Sequence, residues 1–169
     1  MTHYNPVMKK DYHSDTSDKS EELTMSRIDK EIMISAPLED IFDFVIKPSN
    51  LLQIWPSLID VTDEQLLPNN GYNATWTYKM AGVCLKGKAR CTIVELCQWF
   101  SVEIHGAINS TMTWTFRTRD HINTKVTITV DYRVPLSILG RLAELIIVKI
   151  NERETELVLT NLQTRLERK

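Results

Sequence analysis

The sequence lacks the features that mark the commonest catalytic, membrane-spanning and nucleic-acid-binding proteins. It contains no GxSxG nucleophile motif, no HExxH metal-binding motif and no glycine-rich phosphate loop. Its longest nearly unbroken apolar run, residues 145–148, is far below the ~20 residues that a membrane span needs, and no apolar signal core begins the chain. A net charge of -2 leaves no basic excess for nucleic acid or anionic membranes. We therefore expect a cytoplasmic protein with no nucleic-acid partner and no integral membrane segment.

Cysteine is scarce and is not spaced for metal binding. Cys84, Cys91 and Cys97 are odd in number, form no CxxC pair and fall in segments that are typical of strands. Small buried thiols explain this pattern better than a metal or redox site does. We expect no metal and no cofactor.

The N-terminal segment differs in composition from the rest of the 169-residue chain. It contains the polar run HSDTSDKSEELT, which offers too little apolar surface to offset the entropy of ordering it. Regular patterning begins only at Arg27. The sequence therefore predicts a disordered tail over residues 1–26 and one folded domain over residues 27–169, with Met25 as a candidate natural start.

Hydrophobic periodicity predicts an α+β fold. Residues 28–35 alternate as a half-buried strand, and two short helices follow at residues 38–45 and 49–53. The period then changes to two. Six further strands are predicted at residues 59–67, 72–80, 84–95, 99–106, 111–119 and 125–134, with Asn70-Gly71 as the strongest hairpin signal. Short connections favour antiparallel neighbours.

One long C-terminal helix is predicted over residues 136–168. Its apolar stripe is set by Leu139, Leu142, Ala143, Ile146 and Ile150, which recur at helical spacing and must be buried. Because such a helix would be about 50 Å long, it needs a large partner surface, and the upstream sheet supplies one.

The predicted strands have one apolar face and one polar face. The apolar face carries Trp76, Tyr78, Met80, Phe100, Val102, Ile104, Met112, Trp114, Phe116, Val126, Ile128, Val130, Tyr132 and Val134. It also carries the small residues Gly87, Ala89 and Cys91, so it could pack solidly or leave a hollow. The residues alone favour solid packing. Glu103 and His105 share the outer face, where a solvated pair is favoured over an acid/base pair.

Three polar residues of the long helix project towards its apolar stripe, namely Arg153, Glu154 and Asn161. Two interpretations are open. The stripe rotates so that Val158, Leu162 and Leu166 continue it, which leaves NERETE at a solvated mouth. Alternatively, these side chains and the hydroxyls of Tyr78 and Tyr132 hold the head group of an apolar ligand.

The chain resembles a known superfamily over residues 28–168. The resemblance is carried by IMISAPLEDIFDFVIKPSNLLQIWPSL, WTYKMAG, CLKGKA, FSVEIHGAI, MTWTF, TKVTITVDYRVP and LTNLQTRLE. These runs resemble the START-like (SRPBCC) superfamily, in particular its polyketide cyclase/dehydrase and coenzyme Q-binding branches. The resemblance implies a helix-grip fold like that of birch-pollen allergen. In that fold a seven-stranded antiparallel sheet wraps the C-terminal helix, two short helices join strands 1 and 2, and a deep cavity separates sheet and helix.

The resemblance supplies no catalytic motif, so no catalytic residue is assigned. The favoured function is binding or transport of a small hydrophobic ligand, such as a lipid, a quinone or isoprenoid, or a polyketide. Polyketide aromatase/cyclase activity is the alternative, and binding of a protein partner is the third. The predicted ligand-binding residues are Trp76, Tyr78, Met80, Phe100, Met112, Trp114, Phe116, Tyr132, Ile146, Ile150, Arg153 and Glu154.

The tail hypothesis predicts that truncation costs little stability. Deleting residues 1–24 should leave the melting temperature almost unchanged, because an unpatterned polar segment buries no core surface. Thermal unfolding of the full and truncated chains measures this. A loss of several degrees would show that the segment packs on the domain.

Overall fold

The structure, a computed structural model, describes residues 23–80, 82–106, 109–120 and 122–167. Within them, the side chains of residues 23–25, 80 and 133–148 lie outside the description. The elements are β1 (Leu23–Ile34), α1 (Leu38–Val45), a 3-10 helix (Pro48–Gln53), β2 (Leu58–Leu66), β3 (Tyr72–Met80), β4 (Val83–Glu95), β5 (Trp99–Gly106), β6 (Asn109–Thr118), β7 (Thr124–Pro135) and α2 (Leu136–Glu167).

The strands form one antiparallel sheet in the order β1-β7-β6-β5-β4-β3-β2. Strands β2 to β7 are hairpin neighbours because their connections are short, whereas β1 returns to pair with β7 after the two short helices. This topology leaves β1 and β2 as the two edges. The predicted α+β helix-grip architecture, with seven antiparallel strands and a long C-terminal helix, is confirmed.

Strand β1 begins four residues before the predicted domain boundary. Leu23 to Ser26 pair with Pro135 to Tyr132 of β7. Composition alone missed this start for two reasons. The residues before Leu23 are polar, and the pairing with β7 is a long-range contact that composition does not report. Strand β1 thus includes residues 23–26, which were predicted to belong to the tail, and a deletion of residues 1–24 removes two paired residues. The prediction for residues 1–22 lies outside the described residues.

The short helix α1 forms because its apolar residues fall on one face. Its buried positions, Leu38, Ile41, Phe42 and Val45, follow a three-to-four-residue spacing, and Pro37 occupies the N-cap position. Eight residues are too few for an isolated helix in water, so packing on the sheet holds it.

Aromatic packing makes one end of the sheet's inner face solid. Phe42 of α1 meets Phe100 at 5.9 Å and Phe116 at 5.4 Å between ring centroids, in edge-on arrangements. Trp114 stacks on both phenylalanines of the sheet. Each such pair adds about 0.5–1.5 kcal/mol beyond the area that it buries. This end of the fold therefore has a filled core.

The C-terminal half of α2 covers the same core. Its buried apolar residues are Val158, Leu159, Leu162 and Leu166. The interpretation in which the stripe rotates is therefore correct for Val158, Leu162 and Leu166. Its solvated mouth is wrong, because Asn151, Glu154 and Thr155 of NERETE are buried. Ile150, by contrast, is 37% exposed, so its predicted place on the buried stripe is wrong, and Leu157 on the same side is 42% exposed.

Polar contacts fix α2 against its neighbours. Lys30 Nζ of β1 lies 2.6 Å from Glu156 Oε1, and Gln163 Nε2 donates to the carbonyl of Met33 at 3.0 Å. Asn161 Nδ2 donates to the carbonyl of Ile54 at 2.9 Å. Asn161 therefore faces the inside, as predicted, because it satisfies a backbone carbonyl after the 3-10 helix.

Strand β2 is an exposed and irregular edge. Beyond buried Leu58 and half-buried Val61, its residues are exposed. Its pairing with β3 shifts register twice, and Asp63 has a φ of 54°.

Among the helices that the structure describes, none combines the length and the apolarity of a membrane span.

The cysteines depart from the expectation of small buried thiols. Cys91 is buried, but Cys84 is exposed and Cys97 is half-buried in the turn after β4. Cys84 lies opposite the exposed Lys79 in the β3–β4 ladder, which explains its exposure. Burial raises the pKa of Cys91 to about 12, so this thiol stays protonated.

Two leucines of α2 test the corrected helix face. Leu162→Ala should lower the free energy of unfolding by about 2–5 kcal/mol, because Leu162 is fully buried among well-packed neighbours. Leu157→Ala, on the exposed side, should change it by less than about 0.5 kcal/mol. Chemical denaturation measures both, and equal losses would mean that the helix is rotated from this placement.

Candidate functional site: a cavity between the sheet and α2

The end of the fold opposite the aromatic core is hollow. A cavity of about 90 Å³, partly open to solvent, lies between the sheet and the middle of α2. Its apolar and aromatic wall includes Tyr78, Leu85, Ile104, Met112, Val130 and Tyr132. Trp55 and the α2 residues Asn151, Glu154 and Thr155 form the facing wall. The hollow expected from the family resemblance and the solid packing favoured by the residues alone therefore both occur, at different ends.

Two glycines make room for the cavity. Gly87 of β4 pairs with Gly106 of β5, and both line the hollow. A Cβ built on Gly106 would lie 2.6 Å from the carbonyl oxygen of Lys86, and one on Gly87 would lie 3.2 Å from that of His105. The close approach of the strands thus requires glycine at position 106. With no side chain at either position, the wall is bare backbone there.

The side chain of Glu154 is buried at the cavity wall. It is 7% exposed, and its Oε1 accepts a hydrogen bond from the backbone N–H of Ser57 at 2.9 Å. This contact ties α2 to the segment between the 3-10 helix and β2. A buried carboxylate is costly unless hydrogen bonds satisfy it, so the Ser57 amide is a partner that Glu154 needs.

Two tyrosines of the wall face this carboxylate from the sheet. Burial, and then the negative charge of Glu154, raise the pKa of Tyr78 well above its ordinary value. Burial raises the pKa of Tyr132 in the same direction, and Glu154 adds to it. Both hydroxyls therefore remain protonated at neutral pH and can donate hydrogen bonds to a guest.

Two further polar groups at the wall have no hydrogen-bond partner. Trp55 Nε1 and Asn151 Nδ2 are buried donors that meet no acceptor among the described residues. The hydroxyl of Thr155, four residues further along α2, is satisfied by the backbone carbonyl of Asn151 at 2.8 Å. A buried donor without a partner costs roughly 1–3 kcal/mol. Three further groups in the described part of the core also lack a partner, namely Tyr72 Oη, Trp76 Nε1 and Trp114 Nε1. What distinguishes Trp55 and Asn151 is that they line the cavity.

The predicted ligand-binding residues fall into four groups. The cavity wall contains Tyr78, Met112, Tyr132 and Glu154. The core contains Trp76, Phe100, Trp114 and Phe116, all buried but away from the cavity wall. Ile150 and Arg153 are exposed, which corrects their predicted inward orientation. Met80 and Ile146 have side chains outside the described residues, as does the expected contact between Ile146 and Trp114.

Reasoning from the sequence missed Trp55, Asn151 and Thr155 as wall residues. A signal for the two on α2 was present. Asn151, Glu154 and Thr155 share the three-to-four-residue spacing that continues into Val158 and Leu159. The inner stripe of α2 is therefore continuous but polar over this turn, and a search for apolar residues alone passes over it.

Two other kinds of site considered in the sequence analysis are the Glu103–His105 pair and a metal site. His105 Nε2 lies 3.7 Å from Glu103 Oε2 with both side chains largely exposed, as expected for a solvated pair on the outer face. Within the described ranges, no group of three or more His, Cys, Asp or Glu residues is arranged to hold a metal ion.

Known proteins share this fold. A family model described as "Polyketide cyclase / dehydrase and lipid transport" matches residues 25–167. The Zhui aromatase/cyclase from Streptomyces sp. R1128 superposes with a TM-score of 0.76 at 14% identity, over 86% of this chain and 95% of that one. A protein from Thermus thermophilus, TTHA0849, gives a TM-score of 0.73 at 17% identity, over 83% and 97% of the two chains.

A START superfamily protein from Mycobacterium smegmatis gives a TM-score of 0.71 at 13% identity, over 84% of this chain and 97% of that one. No curated protein sequence matches the chain. At these identities the solved structures show a common fold and nothing finer.

The buried tyrosines predict a loss of stability at alkaline pH. A tyrosine in the unfolded chain ionises near pH 10, whereas folded Tyr78 and Tyr132 hold their protons to higher pH. Above about pH 10 the unfolded state therefore binds fewer protons, and the free energy of unfolding falls as the pH rises. Tyr78→Phe should flatten this fall.

Denaturation across an alkaline pH series measures the slope, and near-ultraviolet absorbance reports tyrosinate formation. Leu157→Ala is the control, since Leu157 is exposed and does not titrate. Ionisation of Tyr78 near its ordinary pKa of about 10 in the folded protein would contradict the prediction.

Proposed function

The chain belongs to the polyketide cyclase/dehydrase and lipid transport family, and we propose that it binds a small hydrophobic molecule in the cavity between sheet and α2. The ligand is a lipid, a quinone or isoprenoid, or a polyketide. Binding requires an apolar enclosure and a few polar groups that set orientation. The family description names both a catalytic and a carrier role, and the carrier role asks for no catalytic residue.

One observation carries this proposal. The cavity has an apolar wall at the sheet and a cluster of buried polar groups at the helix. Apolar side chains would be less costly to bury on the inner stripe of α2 than Asn151, Glu154 and Thr155. A solidly packed core therefore does not explain these polar residues. A guest with one polar end and an apolar body makes use of both walls.

The size of the cavity limits what it encloses. A cavity of roughly 150 Å³ accepts benzene in a well-studied engineered protein, whereas this one measures about 90 Å³. A larger molecule would therefore place one end inside and extend through the open side. A flat or narrow end suits the bare backbone at Gly87 and Gly106.

Aromatase/cyclase activity is the alternative, and the tyrosines favour it. Tyr78 and Tyr132 are protonated donors beside the charged Glu154. Groups of this kind can donate to a developing oxyanion and move protons in a bound chain. Turnover of a polyketide substrate that falls in Tyr132→Phe by far more than substrate binding does would establish this activity over simple carriage.

The carrier hypothesis predicts that bulk on the wall abolishes binding. Val130 lines the cavity and is 5% exposed, so Val130→Phe should reduce affinity at least about tenfold by occupying the space. Ile59→Phe, at an exposed position of β2, is the matched control and should bind normally.

Native mass spectrometry and organic extraction of freshly purified protein would identify a retained guest. Equilibrium dialysis against quinones, fatty acids and aromatic polyketides would then give affinities for the two variants. Failure of every class to bind, or equal binding by both variants, would contradict the proposal.

A cytoplasmic location and the absence of a nucleic-acid partner remain predictions from composition and charge. Binding of a protein partner also remains a hypothesis. It would require a second surface, and co-purification from the native cell is the measurement that addresses it.

A further inference from the structure

The polar end of the cavity is rich in hydrogen-bond donors. Trp55 Nε1 and Asn151 Nδ2 are buried without a partner among the described residues. The hydroxyls of Tyr78 and Tyr132 are protonated donors on the opposite wall. Indole nitrogen can only donate, and the amide nitrogen of asparagine can only donate. Trp55 and Asn151 call for an acceptor that the described residues do not supply, and the two tyrosine hydroxyls can donate to the same acceptor.

The acceptors at the same end are partly used. Glu154 Oε1 accepts from the Ser57 N–H at 2.9 Å, and the backbone carbonyl of Asn151 accepts from the Thr155 hydroxyl at 2.8 Å. A ligand that brought only further donors would compete for what is left and leave Trp55 and Asn151 unsatisfied. To satisfy the donors of Trp55 and Asn151, the ligand must therefore carry oxygen atoms with free lone pairs.

The charge of Glu154 restricts the kind of oxygen. This side chain is 7% exposed, and its negative charge acts on Tyr78 and Tyr132. A carboxylate on the ligand would bring a second negative charge into the same poorly solvated region, where like charges repel strongly. A neutral acceptor avoids this repulsion and still satisfies the donors.

We propose that the cavity selects apolar ligands that carry a neutral carbonyl oxygen, such as a ketone, quinone or ester, and discriminates against carboxylate ligands. The carbonyl takes hydrogen bonds from the donor cluster of Trp55, Tyr78, Tyr132 and Asn151. Glu154 acts as the selectivity residue because of its charge. This inference rests on the proposed binding function and names the ligand chemistry for that site.

Four probes that share one ring system test this selectivity. They are methyl naphthyl ketone, isopropylnaphthalene, naphthoate and naphthylmethylamine, and the first two have almost the same shape. Equilibrium dialysis should show the ketone binding about tenfold or more tightly than isopropylnaphthalene, despite the greater hydrophobicity of the hydrocarbon. Naphthoate should bind more weakly than the ketone and more weakly than the amine, because Glu154 repels the anion and attracts the cation.

Two kinds of variant separate the roles of charge and donors. Glu154→Gln keeps an oxygen for the Ser57 N–H but removes the charge, so it should improve naphthoate binding more than ketone binding. Trp55→Phe and Tyr132→Phe should weaken ketone binding several-fold and leave isopropylnaphthalene unchanged. Circular dichroism and melting temperatures would identify any variant that fails to fold. The comparison of the four probes on the wild-type protein tests the selectivity without any variant.

The outcomes distinguish the two proposals. If isopropylnaphthalene binds as tightly as the ketone, the carbonyl selectivity is wrong and the hydrophobic cavity stands. If naphthoate binds best, the role of Glu154 is wrong. If none of the four binds and no guest is extracted from the purified protein, the binding function itself fails.

Discussion

A curved sheet with one apolar face must cover that face, and one helix does most of the covering here. Over its C-terminal half, α2 presents Val158, Leu159, Leu162 and Leu166, and the core beneath is filled. Further back along the helix, the inner stripe turns polar at Asn151, Glu154 and Thr155. The cavity lies against this polar part of the stripe.

The two ends of the fold therefore have different energetic roles. Stacked aromatic rings around Trp114 and the apolar stripe of α2 give the stability that any domain needs. The opposite end carries a buried carboxylate, and buried donors without a partner among the described residues occur both there and in the core at Trp76 and Trp114. Each of these groups lowers stability unless a partner satisfies it. A protein tolerates such groups where function uses them, and the filled core offsets their cost.

The sequence predicted the architecture well because period and turn chemistry are local signals. The strand and helix positions, α1 and the start of α2 all follow from spacing, from Pro37 and from Pro135. The face of α2 could not be fixed in this way. Ile150 and Leu157 are apolar but exposed, and the side chains that line the hollow include buried polar ones. Only the position of the helix against the sheet shows which residues meet across the cavity.

An open sheet has two edges, and the edge at β2 has a bearing on how the protein behaves at high concentration. A straight, unpaired strand invites a second molecule to extend the ladder, which is a route to aggregation. Strand β2 carries Asp60, Asp63 and Glu64, shifts register twice and turns through the positive φ of Asp63. A neighbouring molecule would meet like charge and a broken pattern of backbone groups. The irregular β2 edge thus disfavours extension of the sheet by a second molecule.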